Sequence, residues 1–307
     1  MRILIAGASG LVGQAVVRAL EPAAHETAVL VRPQTPVLGA APTVSAPVSR
    51  VWRWDPVAGT VPDEAIAWAD AVISLNGAPL ARLPWTPRRR ALIRRSRVAP
   101  TRVLAEAIAA SPRPPAAWVS ASAVGIYGSR PGERLIESAI PGTGFLADVV
   151  RGWEAATEPA RATTRVVHAR TGLVLSRRGA LGPIARLAEL GVAGPLGSGR
   201  QHWPWISLHD EAAAFVHLAT ASLMSGAVNL AAPVTATCGE IVAAVADALG
   251  RPHRLPVPGW TLRAVFGEAA RDLLLADQRV MPLRLVADGF RFRDTVLVDA
   301  VRAGLRH

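Results

Sequence analysis

The strongest constraint on this chain is the run Gly7-Ala8-Ser9-Gly10-Leu11-Val12-Gly13. It separates the aliphatic segment Arg2 to Ala6 from Leu11, Val12, Val16, Val17 and Leu20 at helical spacing. That order reads as strand, tight turn and helix. The first glycine permits the turn, the second lets an anion approach the backbone, and the third lets helix pack on strand. Amides at the start of the helix then face negative charge. Thr27 to Val31 follows as a second buried strand ending at Arg32, completing a βαβ unit of about thirty residues. In this context Gly7, Gly10, Leu11, Val12 and Gly13 are expected to cradle the pyrophosphate of a dinucleotide.

The rest of the chain keeps alternating. Pro33 to Pro47 is rich in Pro and Ala and is expected as a surface excursion. Val51 to Trp54 reads as a third strand before a turn at Asp55-Pro56. Ala71 to Leu75 is a fourth, ending in Asn76-Gly77-Ala78-Pro79. Pro87 opens a helical pattern to Ile108, expected to be interrupted at Pro100. Ala117 to Ser120 is the next strand, Phe145 to Ala160 a helix, and Arg165 to Leu173 a strand again. The pattern predicts an α/β fold with a Rossmann-type, doubly wound parallel sheet. After Gly179 come a helix, a glycine-rich loop from Gly191 to Gly199, Trp203-Pro204-Trp205, and helices near 239–249 and 260–276. The expected division gives residues 1–175, with about 202–224, to the nucleotide-binding domain. Residues 176–201 and 225–307 go to a smaller C-terminal substrate lobe.

Composition removes several chemistries. The net charge is +11, and all 34 Lys+Arg positions are arginine, so no lysine is available for a Schiff base or a tunable ammonium acid. The arginines are spread along the chain without a nucleic-acid-binding motif, and there is one tyrosine for stacking, so no nucleic acid is expected as a partner. Cys238 is the only cysteine, which excludes an intrachain disulfide. The histidines lack metal-ligand spacing, and no G-x-S-x-G elbow occurs. His209-Asp210, as a helix start, and Glu154 are expected in structural roles. No stretch approaches the roughly 18 apolar residues of a spanning helix, and the N-terminal apolar run breaks at Gly7 before any cleavage site. The expectation is a cytoplasmic protein with a small-molecule substrate and no membrane partner.

The end of the second strand bears on the choice of dinucleotide. An acidic residue there would accept hydrogen bonds from a ribose 2′-hydroxyl, whereas this chain has Arg32, whose planar guanidinium matches a 2′-phosphate. NADP(H) is favoured over NAD(H), the alternative being a solvated arginine at a strand end. Arg88, Arg89, Arg90, Arg94, Arg95 and Arg97 form a second cationic cluster, most of which reads as a solvated helix face.

The glycine loop, together with Ser120-Ala121-Ser122-Ala123-Val124-Gly125-Ile126-Tyr127-Gly128, resembles the extended short-chain dehydrogenase/reductase superfamily of sugar-nucleotide epimerases and reductases. More narrowly, the chain resembles its atypical NADP-binding epimerase-family group. Trp85-Thr86, Arg94-Arg95-Ser96-Arg97, Gly152-Trp153-Glu154-Ala155-Ala156 and Gly197-Ser198-Gly199-Arg200-Gln201 before Trp205-Ile206 carry that likeness. Leu273 to Val280 through Gly289-Phe290-Arg291-Phe292 resembles the small C-terminal domain of unknown function in that group. The resemblance implies NADP contacts from Gly7, Gly10 and Gly13, from Val31 and Arg32, from Leu75 and Asn76, and from Arg97. In the wider superfamily the position of Arg97 usually holds an asparagine.

Catalysis is where the chain departs from the superfamily, which uses a tyrosine acid/base and a lysine four residues later. Here that helix reads Phe145-Leu146-Ala147-Asp148-Val149, so both side chains are absent. Tyr127 is the only phenol left to serve as a general acid, and packing or substrate binding is open to it as well. Ser122 aligns with the superfamily serine and is expected to hydrogen-bond the substrate. Two functions follow: an NADP(H)-dependent oxidoreductase or epimerase acting on a carbonyl/hydroxyl or nucleotide-sugar-like substrate, or a catalytically silent NADP(H)-binding sensor or scaffold.

Overall fold

A computed structural model describes residues 1–23, 25–33 and 48–306. Most of the excursion expected between Pro33 and Pro47 lies outside the described residues. In chain order the first half contains β1 (Arg2–Ala6), α1 (Leu11–Leu20), β2 (Glu26–Val31), β3 (Arg50–Arg53), α2 (Asp63–Trp68), β4 (Ala71–Ser74), α3 (Pro87–Ala110) and β5 (Ala117–Ala123). There follow β6 (Arg134–Leu135), α4 (Phe145–Ala155), β7 (Arg165–Thr171), β8 (Leu173–Leu175), α5 (Leu181–Glu189), β9 (Trp205–Ser207), α6 (Leu208–Thr220) and β10 (Gly226–Leu230). The chain closes with α7 (Cys238–Ala248), α8 (Gly259–Phe266), a π-helical turn (Ala270–Leu274), β11 (Arg279–Val280), α9 (Leu283–Ala287) and α10 (Leu297–Leu305).

Seven strands form one parallel sheet in the order β3-β2-β1-β4-β5-β7-β10. The reversal of direction falls between β1 and β4, where Ala6 pairs with Ser74. Ligands of open α/β sheets bind in the crevice at the carboxyl ends of such strands. Period-two alternation explains the two cores. Ile3, Ile5, Val29, Val119 and Val167 face α1 and α6, whereas Leu4, Leu30, Val72, Trp118 and Val166 face α2 and α3. No helix among the described residues is long and apolar enough to cross a membrane.

Three expectations are corrected. First, α3 runs unbroken through Pro100, which is buried. A proline inside a helix costs about 3 kcal/mol, and here burial of Ile93, Thr101, Leu104, Ala105 and Ile108 along the same helix offsets it. Second, the lobe boundary does not fall at 225. Gly226–Leu230 is an edge strand of the central sheet on β7, and Leu285 of α9 returns to the same core. Third, the helix expected over 260–276 is divided into α8 and the π-helical turn by Gly267, at φ +54°. Smaller differences extend β5 to Ala123 and end α4 at Ala155.

The second core packs α5, α7 and α10 around Trp203, Trp205, Leu175 and Cys238. A capping box opens α7, with Thr237 and Glu240 satisfying each other's backbone amides. The two-stranded pairing of β6 with β11 joins the lobe to the loop that follows β5.

Candidate functional site

Two glycines of the loop, Gly7 and Gly13, have no room for a side chain. Gly7 sits at φ +91°, and a Cβ there would lie 2.9 Å from the Leu75 carbonyl carbon and oxygen. A Cβ on Gly13 would lie 2.3 Å from the Gly7 oxygen. Gly10 is the N-cap of α1, with no side chain capping the helix, so the helix start is left to an anion. Leu11 and Val12 occupy the first helical turn and are half-buried. Gly7 lies directly against the Leu75 carbonyl and the Asn76 amide of the loop after β4.

Arg97 lies beneath that second loop. Its guanidinium donates from Nη1 to the Ile93 carbonyl at 3.1 Å and from Nη2 to the Ala78 carbonyl at 3.2 Å, and stacks 5.3 Å from the Trp153 ring. A Cβ on Gly77 would approach its Cζ at 3.1 Å. Burial, with the field of Arg89 added, lowers its pKa to about 10. No carboxylate among the described residues pairs with it. A half-buried cation without a counter-charge is costly, and it suits a site whose ligand is anionic. Asn76 Oδ1, also buried, has no hydrogen-bond partner among the described residues. Val31 is buried at the end of β2, and Arg32 is exposed directly after it. These residues fit a dinucleotide phosphate.

The acid/base end is built differently. Phe145 packs edge-on against Trp85, ring centroids 5.4 Å apart, with the Arg90 guanidinium 4.7 Å over its ring. Val149 is buried in the same cluster. Phe145 and Val149, which stand where the resemblance implies the dyad, are both core residues.

Ser122 and Tyr127 are placed otherwise than expected for groups that meet a substrate. Ser122 is 3% exposed, and its Oγ donates to Glu154 Oε1 at 2.6 Å. Tyr127 is fully buried; its hydroxyl donates to Asn229 Oδ1 at 2.7 Å and accepts from Arg170 Nη1 at 3.0 Å. Burial raises the phenol pKa despite Arg170, moving it further from use as a neutral-pH acid. Arg170 completes the network with bonds of 2.9 Å from Nε and Nη2 to the two oxygens of Glu154. Burial works against the Glu154 charge, but the hydrogen bonds and field of Arg170, aided by His168 and Ser122, hold its carboxyl below the usual range. The same pairing raises Arg170.

The expected structural role of Glu154 is therefore a specific one, as counter-charge to a cation the sequence reading passed over. The available signal was a guanidinium and an imidazole, Arg170 and His168, inside a central strand paired on both sides. His209 and Asp210 meet Asp294, and Asp210 accepts the backbone amides of Arg293 at 3.0 Å and Asp294 at 2.9 Å. Ser207, not His209, caps α6.

Two concavities open along the loop after β5. One, of about 340 Å³, is lined by Gly125, Ser129, Leu146, Arg271 and Asp272. Asp272, from the π-helical turn, accepts the Leu146 amide at 3.2 Å at the start of α4. The second, of about 560 Å³, shares Ser129 and is lined by Arg200, Trp260, Arg263 and Asp277. Gln201 shapes its wall by donating to the Leu196 and Leu274 carbonyls. Neither Arg200 nor Arg263 is paired with a carboxylate among the described residues.

Sheet order, glycine loop and phosphate-sized cations define a dinucleotide-binding Rossmann protein. Residues 3–231 match the model of the NAD dependent epimerase/dehydratase family, and residues 257–303 match a domain of unknown function, DUF1731. The chain belongs to the NAD dependent epimerase/dehydratase family. It is 38% identical over 302 residues to epimerase family protein Mb2239 of Mycobacterium bovis, covering 97% of this chain and 96% of that protein. It is 33% identical over 298 residues to epimerase family protein SDR39U1 of Homo sapiens, covering 95% of each. The crystal structure of human SDR39U1 with NADPH superposes with a TM-score of 0.86 at 30% identity, over 100% of this chain and 99% of that one.

Proposed function

We propose that this chain is an NADP(H)-dependent oxidoreductase or epimerase acting on a carbonyl/hydroxyl carbon of a small, nucleotide-sugar-like molecule. The observation that carries the reading is Arg97, a half-buried guanidinium with no carboxylate partner among the described residues, set under the loop that faces the glycine cradle. The NADPH in the human SDR39U1 structure supports the same cofactor. Gly7, Gly10, Leu11, Val12 and Gly13 hold its pyrophosphate, Val31 and Arg32 its adenosine ribose, and Leu75, Asn76 and Arg97 the remainder. When bound, the nicotinamide supplies or accepts hydride.

This chain's own residues supply position and field. The cleft with Arg200, Arg263 and Trp260 favours a substrate bearing an anion and a flat ring. Glu154 and Arg170 hold Ser122 and Tyr127 in hydrogen bonds within the protein, so these two act as positioning residues and not as proton donors. With no tyrosine–lysine dyad, orientation must carry much of the rate.

The test is incubation of purified protein with NADPH and pooled carbonyl compounds, following cofactor fluorescence, beside Ser122→Ala and Tyr127→Phe. Turnover retained in Tyr127→Phe with an unchanged pH profile supports positioning. A lost basic limb makes Tyr127 the acid. A second reading, a silent NADP(H)-binding sensor or scaffold, is favoured by the burial of Phe145 and Val149 at the dyad positions. Tight binding with persistent silence across the pool selects it.

A further inference from the structure

The end of β2 is where a Rossmann fold meets the ribose 2′ position. The neighbouring strand ends at the same level: β3 pairs with β2 in parallel, with Arg53 opposite Val31, one residue before Arg32. The Arg53 side chain turns towards that edge, and its Nη1 donates to the Pro33 carbonyl at 2.9 Å, the residue directly after Arg32. A guanidinium has five N–H donors, so this bond fixes the fork and leaves most of it unspent. Asp55, the acid nearest in sequence, directs Oδ1 to the Val57 and Ala58 amides. Among the described residues neither Arg32 nor Arg53 has a carboxylate partner.

We propose that Arg53 is the second cation of the 2′-phosphate site, acting with Arg32 to select NADP(H) over NAD(H). This rests on the NADP(H) reading above. A phosphate monoester carries a charge of about −1.5 to −2 near neutral pH, which one exposed arginine neutralises only in part. Two arginines on adjacent strand ends match it. The Pro33 bond holds Arg53 before the ligand arrives, so less side-chain entropy is lost on binding.

The experiment titrates NADPH and NADH, by cofactor fluorescence, into the wild type, Arg53→Gln, Arg53→Lys and Arg53→Glu, with competition by adenosine 2′,5′-bisphosphate and by AMP. A glutamine amide can still donate towards the Pro33 carbonyl but carries no charge. Arg53→Gln should weaken NADPH and the bisphosphate about tenfold and leave NADH and AMP within about twofold. Arg53→Glu should lose more, and Arg53→Lys should recover part. Arg53→Gln binding NADPH like the wild type, or losing NADPH and NADH alike, overturns the inference. Wild-type protein that binds NADH as tightly as NADPH instead overturns the cofactor reading, and the inference with it.

Discussion

The two ends of the site use different materials. At the glycine loop the fold supplies the chemistry through backbone, since carbonyls and amides lie where a side chain would collide. At α4 the superfamily's chemistry depends on two side chains, and both positions are filled by core residues. A backbone site survives almost any change outside its glycines. A side-chain site can be emptied by two substitutions, and its polar neighbours then satisfy one another. In the Ser122–Glu154–Arg170–Tyr127 network each polar side chain has a partner within the protein.

Removing one charge from that network should have the largest effect. Glu154→Ala leaves Arg170 buried and unpaired, for an expected loss of about 3–5 kcal/mol. Chemical denaturation reads it, and a loss below about 1 kcal/mol would mean that water reaches the pair. At the other end, Arg97→Leu should weaken NADPH about tenfold to a hundredfold while changing stability little or upward, because a half-buried cation without a carboxylate partner has been removed. Calorimetric titration beside thermal unfolding separates the two effects.

A third prediction lies between the regions. Glu211 is fully buried on α6; burial pushes its carboxyl up to about 8, only partly opposed by the Thr171 hydroxyl, which donates to it at 2.7 Å. The folded protein therefore binds a proton that the unfolded chain, with a glutamate near about 4.3, has released. Stability from this group is unaffected below about pH 4, falls as pH rises between those values, and is lowest above about 8. Glu211→Gln should accordingly raise Tm most at pH 8 to 9 and little at pH 5. A pH-independent difference would contradict the protonated state. Tyr127→Phe should cost the least, about 1 kcal/mol for one buried hydrogen bond, with NADPH affinity unchanged. A large loss of affinity would move Tyr127 from the network to the cofactor.

What could be read in advance follows the same division. The glycine loop and the alternation of strands and helices were legible because local spacing specifies them, and the missing dyad at Phe145 and Val149 because the family resemblance implies where it would stand. Arg170 and Glu154 meet across a strand and a helix, and Arg53 reaches the edge beside Arg32 only through strand pairing. Spacing along the chain carries neither relation. Pro100 misled for a related reason: local propensity opposes the helix, and burial on the sheet outweighs it. The return of Gly226–Leu230 to the central sheet was hidden because a lone edge strand has no local mark of the sheet it joins. Tyr127 was correctly placed after β5, but the direction of its hydroxyl depends on Asn229, about a hundred residues on.

The central claim is that the cofactor end is complete, and selective for a 2′-phosphate, although the acid/base end is not. Calorimetric titration of the wild type with NADPH and then NADH tests it most directly. The expected result is one NADPH site per chain, with NADH at least about tenfold weaker. Equal affinities, tighter NADH, or no binding of either would contradict it.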